Sequence, residues 1–307
     1  MKKIKKVYLA GLGAIGCALS SRICKFDPGC LKIIADKDRI TRYTEKGVSI
    51  NGIAYSFNYV EPGKAYEKAD LLLIAVKQHN LAQTMEDIRS FIGDETVILS
   101  LLNGITSEEI LAGEFGGEKL LYSFVVGTDA VREGPSTTFK NTGKIVFGEK
   151  NNGVLSPKVA TVKEFFDRAG LAYSIPENML RELWWKFMMN VGINQVSAIL
   201  RAPYGVFCRE GEARELMLSA SREVVEISQK AGIGLTEEDI ERYAAVLKGI
   251  SPLGKTSMLQ DVEAGRKTEV EIFAGTVMEL GRKYGVPTPV NDVLFRLIHS
   301  IEQMRNL

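Results

Sequence analysis

Lys186, Asn190 and Asn194 stand four residues apart in the stretch ELWWKFMMNVGINQ (182–195), whose other positions are mostly Trp, Phe, Met, Leu, Val and Ile. On a helix, residues four apart differ by only about 40° around the axis, so the three share one line about 12 Å long. An amine and two amides in such a line can do what their apolar neighbours cannot. An ammonium held away from water gives up its proton more readily, which suits it to protonate a carbonyl oxygen as charge develops there. The plainer reading is a solvent-facing stripe with a Glu182–Lys186 pair. Against it, asparagine disfavours helix interiors, and the flanking Trp and Met residues point to burial.

A second group of reactive types lies in KTSMLQDVEAGRKTEVEIFAG (255–275), which holds Ser257, Gln260, Asp261, Arg266, Thr268, Glu269 and Glu271. The plain reading is a loop and helix start, with Thr268 and Glu271 as a capping box. The functional reading sets a hydroxyl and a carboxylate opposite the lysine line.

A third group is GLGAIG, in which Gly11, Gly13 and Gly16 frame Leu12, Ala14 and Ile15. This spacing between a strand and a helix allows a tight turn, a close approach of backbone to a pyrophosphate, and close helix–strand packing. A second apolar run, LKIIAD, ends in Asp36, twenty residues past Gly16. A carboxylate there accepts from a ribose 2′-hydroxyl and repels a 2′-phosphate, which favours NAD over NADP. Lys37, Arg39 and Arg42 follow at once, and any of them can pair a phosphate. Two further apolar runs end in polar groups, LLLIAVK in Lys77 and VILSLLNG in Asn103-Gly104. Open parallel sheets bind ligands beyond the carboxyl ends of their strands, so both face the cofactor in this reading.

These groups need elements to carry them. Up to about Pro176, apolar strands alternate with helical patterns, as in ADLLLIAVK, DETVILSLLNG and QHNLAQTMEDIRSFIG. Strands with almost no polar alternation are covered on both faces, which predicts an α/β fold built on a doubly wound parallel sheet of the Rossmann type. The Asn-Gly pair in GVSINGIAYSFNYV predicts a hairpin. From PENMLRELWWKF onward helical periodicity takes over, and in LTEED Thr236 and Asp239 suit a helix start. The expected division is residues 1–175, a dinucleotide-binding half, and 176–307, an all-helical half for substrate binding and catalysis.

Composition narrows the classes. The chain has 307 residues, 45% apolar and 25% charged, with a net charge of +1, so nothing points to nucleic acid or an anionic membrane surface. Cys17, Cys24, Cys30 and Cys208 have no metal-type spacing, and reduced thiols in a cytoplasmic protein are the expected state. With only His79 and His299, a histidine acid has few candidates. The opening MKKIKKVYLAGLGAIGC has a secretory-signal look, but its glycines carry the dinucleotide spacing.

At GLGAIG, AVK, LLNG, WWKFMMNVGINQVSAIL, TSMLQDVEAGRKTEVEIFAG and YGVPTPVND the chain resembles the ketopantoate reductase (2-dehydropantoate 2-reductase) family, within the 6-phosphogluconate-dehydrogenase-like superfamily. The resemblance runs from Val7 to about Met304. It implies reduction of a 2-keto acid, ketopantoate, to (R)-pantoate for pantothenate and coenzyme A synthesis. It implies Lys186 as proton donor and Glu269 as the carboxylate that sets it. It further implies Asn190 and Asn194 for substrate hydroxyls, Ser257 for the substrate carboxylate, and Lys77 and Asn103 beside the nicotinamide ribose. The family's reductant is NADPH; Asp36 stands where an arginine is common, which keeps NADH open. The expected partner is a small-molecule 2-keto acid, with no nucleic acid, membrane or metal, and with a homodimer allowed. Two rivals stand beside this reading: a reductase of another branched 2-keto acid on the same scaffold, and a non-catalytic dinucleotide-binding sensor.

Overall fold

The computed structural model describes residues 3–64 and 67–304, so the first two residues of the basic MKKIKK start lie outside the described residues. The chain forms two compact units that divide between Met179 and Leu180.

The first unit runs β1 (Val7–Ala10), α1 (Ala14–Phe26), β2 (Leu31–Ile34), α2 (Lys37–Lys46), β3 (Val48–Ile50), β4 (Ile53–Tyr55), β5 (Asn58–Val60), β6 (Leu71–Ile74), α3 (Leu81–Ile88), β7 (Val97–Ser100) and α4 (Ser107–Phe115). It continues through β8 (Leu120–Thr128), β9 (Val131–Glu133), β10 (Ser136–Thr138), β11 (Thr142–Gly148), α5 (Pro157–Ala169) and β12 (Tyr173–Ser174). Eight strands form one sheet in the order β12-β11-β8-β7-β6-β1-β2-β5. Every residue of β1, β6 and β7 is buried. Successive residues feed opposite faces, as strand geometry requires. Val7, Leu9, Leu71, Leu73 and Leu99 pack in one core with Ile23, Phe165 and Phe166. Tyr8, Ala10, Leu72, Ile74 and Ile98 pack in the other with Leu81, Ile88 and Leu111. The continuous apolar runs are thus explained by helices on both sides.

Two features depart from the sequence expectation. The sheet is parallel except at β8 and β11, which pair antiparallel. A parallel neighbour needs a crossover, usually a helix; between Thr128 and Thr142 there is only the short β9–β10 pair. That pair joins the expected hairpin in a second, four-stranded sheet, β4-β3-β10-β9. The hairpin turn itself is as expected, with Asn51 and Gly52 both at positive φ (50° and 78°), the geometry of a type I′ turn.

The second unit is helical. It comprises most of α6 (Met179–Leu200), then α7 (Tyr204–Phe207), α8 (Glu212–Lys230), α9 (Glu237–Lys248), α10 (Ser257–Glu263), α11 (Ala274–Tyr284) and α12 (Pro289–Met304). α6 is buried nearly all round, which suits a helix apolar on every side. α9 starts as expected, with Asp239 accepting from the Thr236 N–H at 2.8 Å. The capping box expected at Thr268 and Glu271 does not form. Residues Val270–Ile272 make one turn of 3₁₀ helix, and the Glu271 carboxylate meets His299 Nε2 at 3.0 Å instead. Among the described residues no helix is long and apolar enough to cross a membrane.

Candidate active site

In the first unit the candidate residues gather on one edge of the sheet. Gly11–Gly16 follows β1, Asp36 follows β2, Lys77 lies just past β6, and Asn103 just past β7. The four strands β2-β1-β6-β7 are consecutive neighbours, all parallel, so four adjacent carboxyl ends span ~14 Å at the usual strand spacing. That is the reach of an extended dinucleotide laid across the edge.

The three glycines have different causes. Gly11 sits at φ +101°, and a Cβ there would lie 2.5 Å from the Ala75 carbonyl oxygen. A Cβ on Gly16 would overlap the Gly11 carbonyl. Both are required by packing of strand, turn and helix. Gly13 is not: its Cβ would find only the Ala75 oxygen, at 3.8 Å. The space over Gly13 is therefore open, as a pyrophosphate needs. α1 has no side-chain cap and no acid in its first turn, so its amino end offers its N–H groups and its dipole to an anion. Leu12 turns its side chain into the core and can meet a ligand only through backbone, while Ile15 packs against that core half-buried. The Gln78 side-chain oxygen, next to Lys77, is buried with no hydrogen-bond partner among the described residues. An acceptor without a protein donor at the end of β6 also fits a bound group there; nothing in the sequence singled it out.

Asp36 is half-exposed and caps α2, accepting from the Arg39 N–H at 2.7 Å while Arg39 Nε lies 3.3 Å from its second oxygen. Its carboxylate keeps lone pairs for a further donor, and Arg39 is the cation nearest to answer a phosphate. The thiols of Cys24 and Cys30 are pushed up to about 11, by burial first and by Asp27 second, so neither is a thiolate at neutral pH. Among the described residues no His, Cys, Asp and Glu cluster could hold a metal.

In the second unit the polar line of α6 faces protein, not water. Lys186 is 8% exposed, Asn194 4%, and Asn190 is half-buried. Asn194 Nδ2 donates to Asn190 Oδ1 at 3.2 Å, and Asn194 Oδ1 accepts from Ser257 Oγ at 3.2 Å and from the Met258 N–H at 3.4 Å. The structure thus brings together Asn190, Asn194 and Ser257, residues sixty-three positions apart at the last step. One turn further on, Thr256 Oγ1 donates to Ser197 Oγ at 3.1 Å, fixing the start of α10 against α6. Glu269 is 8% exposed. Its turn is anchored by the preceding Thr268 N–H, which donates to Glu302 of α12 at 2.7 Å. Lys186 and Glu269 each hold partners, as buried charges must.

Other residues of the second cluster serve the fold. Asp261 pairs with Arg266 at 2.9 Å across its own turn. Glu182 takes both arms of Arg242 at 2.8 and 2.9 Å, and the guanidinium lies 3.9 Å from the Trp185 ring. Gln195, fully buried, donates to Asn291 Oδ1 at 3.2 Å, and Asn291 Nδ2 donates to Glu223 at 2.6 Å. Glu223 also accepts the N–H groups of Val290 and Asn291, capping α12 from α8. Sequence reasoning passed over this network, because its members sit on three helices far apart in the chain.

Comparison with known proteins follows the same division. Residues 7–152 match the family model described as ketopantoate reductase PanE/ApbA, and residues 178–302 match its C-terminal counterpart. A 2-dehydropantoate 2-reductase of Streptococcus pyogenes serotype M6 is 28% identical over 308 residues, covering 98% of this chain and 99% of the relative. Among solved structures, D-mandelate dehydrogenase with NADH and anilino(oxo)acetate superposes with a TM-score of 0.87 at 24% identity, over 98% of this chain and 100% of that one. A PanE/ApbA family ketopantoate reductase from Ralstonia eutropha JMP134 superposes with a TM-score of 0.84 at 21% identity, over 98% and 100% of the two chains. These structural likenesses speak for the fold.

Proposed function

The chain belongs to the ketopantoate reductase PanE/ApbA family, and on that premise we propose that it reduces 2-dehydropantoate to (R)-pantoate with a nicotinamide dinucleotide, serving pantothenate and coenzyme A synthesis. The observation that carries the reading is the buried line of Lys186, Asn190 and Asn194, joined to Ser257. A sensor that only bound a dinucleotide would have no use for a desolvated ammonium beside a row of amides and a hydroxyl.

The bound cofactor supplies the hydride for the C2 carbonyl. Lys186 gives the proton to the carbonyl oxygen, and its charge favours the developing alkoxide over the neutral ketone. Glu269 sets the lysine. Asn190 and Asn194 hold substrate hydroxyl groups, and Ser257 holds the carboxylate. In the first unit Gly11, Leu12, Gly13, Ala14, Ile15 and Gly16 receive the pyrophosphate through backbone and helix end. Asp36 reads the adenosine ribose, while Lys77 and Asn103 flank the nicotinamide ribose.

NADPH is the reductant that the family resemblance implies, and Asp36 is the residue that speaks for NADH. The deciding experiment follows oxidation of NADPH and of NADH with ketopantoate and with a panel of other branched 2-keto acids. Turnover greatest with ketopantoate supports the reading. Turnover greatest with another 2-keto acid moves the chain to that substrate on the same scaffold. Binding of cofactor without turnover of any acid would leave only the sensor.

A further inference from the structure

We propose that Glu108 is a positioning residue for the cofactor: its buried carboxylate locks the turn that carries Asn103, and so fixes where the nicotinamide end of the dinucleotide lies. The inference rests on the reading of the first unit as the cofactor unit.

The sheet has a gap beside the end of β7. β7 and β8 pair only through Ile98 with Leu120 and Leu99 with Leu121. β8 then continues to Thr128, while β7 stops at Ser100 and the chain leaves the sheet. On the side that β7 has left, the next polar groups of β8 have no strand to pair with, while β11 still pairs the other side; buried backbone groups must be satisfied. Side chains take over. The Ser123 N–H donates to Glu108 Oε1 at 3.4 Å, and Ser123 Oγ donates to the Ser100 carbonyl at 2.6 Å. Ser107 Oγ donates to Glu108 Oε2 at 2.9 Å. With that proton used, the 2.7 Å contact between Ser100 Oγ and Ser107 Oγ has Ser100 as its donor.

The result is a closed ring of three serines and one glutamate, every member buried, with Glu108 only 4% exposed. It joins the end of β7, the start of α4 and the middle of β8. Between its anchor points hangs the turn of residues 101–106, whose first two residues are buried and whose remainder, Asn103 to Thr106, is half-exposed. Both ends are clamped, and the half-exposed tip lies within reach of solvent and of a ligand. A carboxylate suits the task because it only accepts: it takes an N–H and an O–H at once without adding a donor of its own. Burying that charge is costly unless hydrogen bonds compensate it, and the donors of Ser123 and Ser107 supply that compensation. The clamp stands at the carboxyl end of β7, where the ligand edge of the sheet lies.

The test compares the wild-type protein with Glu108→Ala and Glu108→Gln, using NADPH, NADH and ADP, the last standing for the adenine half alone. The glycine turn is untouched by either change, so ADP affinity should stay within about twofold. Dinucleotide affinity should fall roughly tenfold in Glu108→Ala, the cost of a misplaced binding turn. It should fall less in Glu108→Gln, which keeps the acceptor for Ser123. The KM for the keto acid should not move. Should Glu108→Ala fail to fold, Ser107→Ala removes only the two hydrogen bonds of one hydroxyl, to Glu108 and from Ser100, and carries the same comparison. ADP and dinucleotide affinities falling together, or neither falling, overturns the positioning role while the cofactor reading survives. A wild-type protein that binds neither dinucleotide sinks the cofactor reading, and this inference with it.

Discussion

In the first unit the groups that would meet a ligand are mostly backbone: the turn at Gly11–Gly16 and the bare end of α1. In the second they are side chains on one buried helix, held by hydrogen bonds to α10. A backbone site needs residues that are absent, side chains kept out of the way. A side-chain site needs residues that are present and supported. The two should therefore fail differently under mutation, and that difference can be pressed.

The largest expected effect is at Lys186. Lys186→Ala should lower kcat by about 10² to 10⁴, the usual worth of a placed proton donor, and leave dinucleotide affinity as it was. Unchanged turnover would end the assignment. The glycine turn should break in two separable ways. Gly16→Ala drives a Cβ into the Gly11 carbonyl and should cost about 3 kcal/mol of stability, read as a fall in Tm. Gly13→Ala meets no such obstacle and has φ −75°. It should keep its Tm while losing dinucleotide affinity. If Gly13→Ala bound cofactor normally, the open space over that residue would not be a ligand's. Asn194→Ala comes next: KM for the keto acid should rise about tenfold, the worth of one lost hydrogen bond to substrate, with a smaller change in kcat. The smallest effect is at Asp36, where alanine should move the NADPH-to-NADH preference a few-fold towards NADPH by removing the 2′-hydroxyl acceptor. Rates measured with both cofactors will show it.

The same contrast governs how much could be read in advance. The strands β1, β6 and β7 announced themselves because they are apolar at nearly every position, and the Asn51-Gly52 hairpin because only a few residue types accept its backbone. The glycine turn was legible for the same reason. The four-stranded sheet was not, since it joins β3 to β10 across some eighty intervening residues in strands three residues long. Strand direction at β8 and β11 was equally hidden, for an apolar strand reads alike both ways. The line of Lys186, Asn190 and Asn194 stood out as polar types at helical spacing in an apolar run. Its link to Ser257, and the clamp of Glu108 on Ser123, are tertiary contacts that local pattern does not encode.

The hydrogen bonds that end on Glu223 have a further consequence. The amide protons of Val290 and Asn291 both point at its carboxylate, and the Asn291 side chain ties that carboxylate to Gln195 of α6. Those two protons trade with deuterium when their bonds to Glu223 open, as they do when α12 lifts away from α8. Their uptake rate would thus serve as a gauge of how firmly the lysine-bearing helix is seated, read at a place a hundred residues further along the chain.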